Sequence, residues 1–125
     1  MKKLIIHIIV AIFLSSYSIL SQQTGLLISP SEVNITLFSV GEIVIKVENV
    51  NAFRAYSIHL GYDSQKLRCL NISRSTFFSN WQTFFYATID SNSNLLKIDE
   101  AILGPGYEGG TGDLIKMQFQ ALAEG

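Results

Sequence analysis

The sequence is poor in the residues that build cross-links and metal sites. Cys69 is the only cysteine, so the chain can form neither an internal disulfide nor a cysteine-rich metal site. Of the two histidines, only His59 lies outside the N-terminal stretch, and no histidine-bearing metal motif accompanies it. We therefore expect no metal ion and no cofactor.

Catalytic motifs are missing as well. Residues 104–109 match the spacing of a dinucleotide-binding loop, but a strand-like segment follows them where that motif needs the N-terminus of a helix. Asp99 and Glu100 are adjacent on a predicted strand, so their side chains point to opposite faces and cannot act as a carboxylate pair. The sequence therefore predicts a protein that is not an enzyme and has no catalytic residues.

The N-terminus has the three-part order of a secretion signal. Two lysines precede an apolar run over residues 4–14, and a serine-rich stretch follows it. The run is too short for a transmembrane helix, which needs roughly 20 apolar residues. The sequence predicts a signal peptide over residues 1–21, a mature start between Ile19 and Gln22, and no stable membrane span after cleavage.

The domain that remains after cleavage is mildly acidic. Of nine Lys and Arg residues, Lys2 and Lys3 belong to the predicted signal, which leaves seven against ten Asp and Glu and a net charge of about −3. Nucleic-acid binding requires a basic surface, so we expect no nucleic-acid partner. The predicted location is secreted, either extracellular or at the cell surface.

After residue 23 the apolar residues alternate with period two, as they do in β-strands. The clearest strand is Glu42–Val47, and residues 55–62 and 115–121 alternate in the same way. The alternation predicts these inward-facing residues: Ile43, Ile45, Val47, Tyr56, Ile58, Leu60, Tyr62, Ile115, Met117, Phe119 and Ala121. Further strands are predicted at Leu26–Ser29, Val33–Leu37, Leu67–Ile72, Thr83–Ile89 and Leu95–Leu103.

Helical periodicity is missing from the rest of the chain, so helix content should be near zero. Short strands with one apolar face, joined by turns, pack most simply as two antiparallel sheets. The sequence predicts an all-β antiparallel sandwich over residues 24–125.

An aromatic cluster over residues 77–86 allows two interpretations. A sandwich of this size needs large apolar side chains in its core, which favours burial of most of the cluster. Trp81 is flanked by Asn80 and Gln82, and is therefore the best candidate for an exposed ring that stacks on a sugar. Direct polysaccharide binding through Trp81 is therefore an alternative function.

A series of short motifs occurs in a particular order over residues 27–121. The motifs are Ser29-Pro30-Ser31, Val40-Gly41-Glu42, Glu48-Asn49-Val50-Asn51, Tyr56-Ser57-Ile58-His59-Leu60-Gly61-Tyr62-Asp63, Lys66-Leu67, Phe84-Phe85, Ile89-Asp90, residues 96–103 and Gly112-Asp113-Leu114-Ile115-Lys116-Met117-Gln118-Phe119-Gln120-Ala121. In this order they resemble the cohesin family. Cohesins are jelly-roll sandwiches related in fold to carbohydrate-binding modules. The resemblance implies a jelly-roll topology, and a domain that is incomplete at its C-terminal end.

The resemblance also implies a function. In cohesins one sheet face docks the dockerin module of a secreted protein, and the assembly serves polysaccharide degradation. The matching face here includes Ala55, Ser57, His59 and Gly61. Well-known cohesins carry Asn and Asp at the positions of Ala55 and Ser57, so the partner's specificity should differ. A structural unit of a cell-surface protein is a further alternative.

Overall fold

The computed structural model describes residues 10–13 and 25–124, and these residues form eight β-strands. The strands are β1 (Val10–Phe13), β2 (Gly25–Ser29), β3 (Val40–Phe53), β4 (Ala55–Gly61), β5 (Leu67–Arg74), β6 (Thr83–Asp90), β7 (Leu95–Ile102) and β8 (Glu108–Ala121). No helix occurs in this part of the chain, as the sequence predicted. Within these ranges, accordingly, no helix has the length and apolarity to cross a membrane.

The strands form two four-stranded antiparallel sheets. The first has the order β1-β4-β7-β6 and the second has the order β2-β3-β8-β5. Apolar side chains from both sheets meet in one buried cluster between them. The predicted all-β antiparallel sandwich is therefore confirmed.

The period-two alternation in the sequence correctly predicted which residues lie in the core. Every inward-facing residue predicted above is buried, and Ile45, Ile58 and Ile115 are completely so. Successive side chains of a strand leave on opposite faces, so burial of these residues fixes which residues of the same strands face outward. The outward-facing residues of these strands include the candidate site.

The two long strands extend beyond their predicted ends. The alternation in β3 breaks after Val47, yet pairing with β8 continues to Phe53 through shifts in register. Asn49 and Ala52 have positive φ angles of 53° and 51° in this stretch. Such bulges place two residues opposite one residue of the partner strand and interrupt the alternation, which is why the sequence pattern ended early.

The strand predicted at Val33–Leu37 is not formed. Val33 makes only an isolated bridge, and residues 34–36 are irregular before a turn at Leu37 and Phe38. Ile35 is buried, but Phe38 is exposed and has a positive φ of 67°. Ile35 and Val33 pack against the core from a loop, and a loop needs no strand alternation.

Strand β1 falls inside the predicted signal peptide. Its backbone pairs with β4, and the register joins Val10 to Leu60 and Phe13 to Ser57. The other residues of the predicted signal, and the predicted cleavage sites, lie outside the described residues. Signal cleavage therefore stays a prediction, and it would remove the strand that borders β4.

Candidate docking face

The outward residues of β4, β7 and β6 form one continuous surface, called here the outer face. Its members are Ala55, Ser57, His59 and Gly61 from β4, Leu95, Lys97, Asp99 and Ala101 from β7, and Phe84, Tyr86, Thr88 and Asp90 from β6. The alternating burial of β4 and β7 shows that the residues between these members point into the core. All four residues predicted from the family resemblance therefore lie on this single surface.

Strand register groups the outer face into rows. In one row Ser57 lies opposite Asp99, and Asp99 lies opposite Tyr86. In directly opposed pairs of an antiparallel sheet the Cβ atoms are about 4.5–5.5 Å apart, so these side chains are neighbours. In the next row His59, Lys97 and Thr88 are opposed in the same way. The face thus presents hydroxyl, carboxylate, phenol and cationic groups within two adjacent rows.

An aromatic pair stands at the β6 end of the outer face. Phe84 is 56% exposed and Tyr86 is 50% exposed. Their ring centroids are 6.5 Å apart and their planes differ by 13°. Aromatic residues are enriched at the centres of protein interfaces, where their large area is removed from water. The pair is the largest apolar feature of this face.

Charges on the outer face are only loosely paired. Lys97 Nζ lies 3.9 Å from Asp99 Oδ2, and both side chains are partly exposed. An exposed pair at this distance contributes at most about 1 kcal/mol, so a partner's charges can replace it. At the turn after β6, hydrogen bonds from Ser93 hold the pKa of Asp90 below its usual range. Asp90 is therefore ionised at neutral pH.

A buried polar network lies directly behind the outer face. Glu100 is only 3% exposed. Its Oε2 accepts a hydrogen bond from the Tyr56 hydroxyl at 2.7 Å, and its Oε1 accepts one from Thr83 Oγ1 at 2.9 Å. Arg74 Nε of β5 lies 3.3 Å from the same Oε1. Glu100 therefore connects the three strands of the outer face with the opposite sheet.

Burial and the Glu100 carboxylate act together on Tyr56. Desolvation, followed by the hydrogen bond to Glu100, raises the pKa of Tyr56 well above its ordinary value. The phenol is therefore a permanent hydrogen-bond donor within the core, and Glu100 has a donor on each carboxylate oxygen.

Trp81 lies away from the outer face, in the loop before β6. Its ring is half-buried and packs against the core and Gly106, and its Nε1 donates a 3.0 Å hydrogen bond to Glu108 Oε2. Phe77 and Phe78 are buried, and Phe85 also packs against the core. Two rings of the aromatic cluster are thus core and two more pack partly against it, whereas its most exposed rings belong to Phe84 and Tyr86 and not, as the sequence predicted, to Trp81.

Cys69 borders a cleft of about 490 Å³ near the end of the sandwich, together with Tyr62, Leu67 and Ile89. Burial raises the pKa of the Cys69 thiol to about 11. Thiolate is the reactive form, so this cysteine is a weak nucleophile at neutral pH. Within residues 10–13 and 25–124, no group of His, Cys, Asp and Glu side chains is arranged to hold a metal ion.

The sequence matches the family model of the cohesin domain over residues 39–125. The chain belongs to the cohesin domain family. The match includes all three strands of the outer face and all of the Glu100 network. No curated protein matches the sequence.

Two solved structures from Acetivibrio cellulolyticus have the fold of this cohesin domain. One is a crystal structure of a type II cohesin–X–dockerin complex, an N-terminal interface mutant, with a TM-score of 0.70 and 10% identity, covering 82% of this chain and 74% of that chain. The other is the second type II cohesin module of an adaptor scaffoldin, with a TM-score of 0.66 and 13% identity, covering 83% of this chain and 68% of that chain. At these identities the likeness concerns the fold alone.

Sequence reasoning missed part of the outer face. The family resemblance predicted the β4 residues, but it did not predict Lys97, Asp99, Phe84 and Tyr86 beside them. The alternation in β7 was available as a signal, because Leu96 and Ile98 face the core and so turn Lys97 and Asp99 outward. Which β6 residues adjoin them depends on strand register, and the pattern within one strand does not determine register.

Proposed function

We propose that this cohesin domain is a secreted, non-catalytic binding module that docks a dockerin-type protein through its outer face. The assembly would serve polysaccharide degradation, with the domain outside the cell or at its surface. The observation that carries the proposal is the outer face itself: Phe84 and Tyr86 expose a paired aromatic surface next to the polar row of Ser57 and Asp99.

Similarity supports the partner class. The family is that of cohesin domains, and one solved structure with the same fold is a cohesin in complex with an X module and a dockerin. The composition of the face also fits, because stable interfaces combine a few aromatic anchors with polar groups around them.

The polar chemistry of the outer face sets which partner fits. Ala55 offers no hydrogen-bonding side chain, and Ser57 offers one hydroxyl. The neighbouring Asp99 supplies the carboxylate of the same row, and His59 with Lys97 supplies donors in the next row. A matching dockerin should therefore present a donor towards Asp99 and an apolar surface towards Phe84 and Tyr86.

The decisive experiment is calorimetric titration of the purified protein with each dockerin module encoded in the same genome. We expect saturable binding to at least one of them at a one-to-one ratio. Absence of heat with every dockerin, for protein whose fold is verified by circular dichroism, would contradict the proposal.

Direct polysaccharide binding is a second candidate, favoured by the exposed aromatic rings. Phe84 and Tyr86 lie nearly parallel and are open to solvent, and Trp81 is partly accessible. Affinity electrophoresis in gels containing cellulose derivatives or xylan tests it. If glycan retards the protein, Trp81→Ala and Tyr86→Ala separate the two aromatic sites, since loss of retardation identifies the ring that stacks on the sugar. A structural unit of a surface protein would bind neither dockerin nor glycan.

A further inference from the structure

No short turn joins β4 to β7, so the chain connection does not determine the register in which these two strands pair. β6 and β7 are joined by a turn of residues 91–94, in which Asp90 Oδ1 accepts hydrogen bonds from the backbone N–H groups of Asn92 and Ser93. Such a short turn fixes the register of its two strands. β4 and β7, in contrast, are separated in the chain by β5 and β6.

Core burial alone allows more than one β4–β7 register. A slip of one residue would turn the apolar residues outward, and burial excludes it. A slip of two residues keeps Ile58 and Leu60 facing inward. It would move Ser57 from Asp99 to a position opposite Lys97 or Ala101, and so change the rows of the outer face.

The Glu100 network distinguishes these registers. Tyr56 and Glu100 are directly opposed, and their 2.7 Å hydrogen bond lies inside the core. After a two-residue slip Glu100 would oppose Ile58 or Arg54, and the Tyr56 hydroxyl would lose its acceptor. A buried polar group without a partner is strongly unfavourable, so the hydrogen bond penalises the slipped registers.

Arg74 and Thr83 fix the position of Glu100 from two other strands. Thr83 Oγ1 donates to Glu100 Oε1 from β6, and Arg74 Nε approaches the same oxygen from β5 of the opposite sheet. Arg74 also donates from Nη2 to the carbonyl oxygen of Phe78 at 3.2 Å. The carboxylate is therefore held in place independently of β4.

We propose that Glu100 and Tyr56 are positioning residues that set the register of β4 against β7 and thereby determine the composition of the docking surface. The effect on binding rests on the proposed function, whereas the effect on register does not. In other proteins a buried polar group can select one register even where it adds no stability. Glu100 fits this role, because apolar side chains can often replace a buried charged group without loss of stability.

The test combines nuclear Overhauser effects with dockerin titration in the full chain. The main variant is Tyr56→Phe with Glu100→Leu, which replaces the polar pair by apolar side chains. Ile98→Val is the control, because it changes the same inner face without touching the network. In the wild type and the control, the signals between β4 and β7 should join Ser57 to Asp99 and not to Lys97 or Ala101.

In the double variant we expect additional signals from Ser57 to Lys97 or Ala101. Dockerin affinity should fall by the factor by which the native register is depopulated, because only that register presents the binding surface. A folded double variant with native signals only and wild-type affinity would overturn the proposal. If the double variant does not fold, Tyr56→Phe alone decides between the same two results.

The proposed function and the positioning role of Glu100 and Tyr56 can be contradicted independently of each other. Wild-type protein that binds no dockerin contradicts the proposed function, while the cross-strand signals still test the register. Wild-type binding together with a single native register in the variants contradicts only the positioning role.

Discussion

The Tyr56 hydroxyl donates a 2.7 Å hydrogen bond to Glu100 Oε2 inside the sandwich, one residue along each strand from the Ser57–Asp99 pair on the outer face. The internal pair and the external pair therefore share one strand register. This relationship connects the packing of the core with the arrangement of groups that a partner would contact.

Removal of the Tyr56 hydroxyl should destabilise the domain measurably. Tyr56→Phe leaves Glu100 Oε2 buried without its donor, and an unpaired buried polar group costs about 1–3 kcal/mol. Urea unfolding should show this loss as a lower midpoint with an unchanged slope. Tyr107→Phe is the matched control, because Tyr107 is exposed, and it should leave the midpoint unchanged. Equal midpoints for both variants would contradict the buried network.

Gly106 should be required for the packing of Trp81. Gly106 has a positive φ of 131°, and a Cβ added there would overlap the Trp81 ring. Gly106→Ala should therefore displace the ring and destabilise the domain. Trp81 is the only tryptophan, so its fluorescence emission should shift to longer wavelength as the ring becomes more exposed.

Gly104→Ala is the control for backbone strain. Gly104 also has a positive φ, of 81°, but a Cβ there would meet nothing within 4 Å. This variant should lose stability through strain, by about 1–2 kcal/mol, and keep the wild-type emission. A red shift in Gly104→Ala, or its absence in Gly106→Ala, would contradict the contact between Gly106 and Trp81.

Stability should fall in alkali because of Cys69. Burial raises the pKa of its thiol from 9.0 to about 11, so in this range the unfolded chain releases the proton more readily than the folded protein. Since the folded state binds more protons, the free energy of unfolding decreases as pH rises from 9 to 11. The contribution is fully present below pH 9.

Cys69→Ala isolates this contribution from the titration of the tyrosines. The difference in unfolding free energy between wild type and variant should shrink as pH rises from 9 to 11. Urea denaturation at fixed pH steps measures that difference. A difference that is constant across the range would show that the thiol has the same pKa in both states.

The sequence predicted the inner face of the sandwich well, and the reason is physical. Alternation in β4 and β8 reflects burial of one strand face, so residues such as Ile58 and Met117 could be placed in the core from their spacing alone. The segment Val33–Leu37 was mistaken for a strand because it is rich in β-branched and apolar residues. Ile35 is the only buried residue of that segment and Val33 packs partly against the core, and a loop is enough to place both side chains.

Relationships between strands were less predictable. Glu100 follows Ile98 and precedes Ile102 on the inner face of β7, which was a signal that its carboxylate is buried. Its partners Tyr56 and Arg74 lie on strands that are distant in the sequence, and no pattern within one strand identifies them. The aromatic pair of Phe84 and Tyr86 likewise becomes part of a site only through the β6–β7 register.

The most direct test of the account compares dockerin binding by variants on opposite faces of the sandwich. Tyr86→Ala removes an exposed aromatic ring from the outer face, and Leu70→Ala removes an exposed apolar side chain from the outward side of β5 in the other sheet. Loss of an aromatic anchor typically costs about 2 kcal/mol or more, which corresponds to a dissociation constant roughly thirtyfold larger by calorimetry. We predict that loss for Tyr86→Ala and unchanged affinity for Leu70→Ala. Wild-type affinity in Tyr86→Ala with weakened binding in Leu70→Ala would contradict the account.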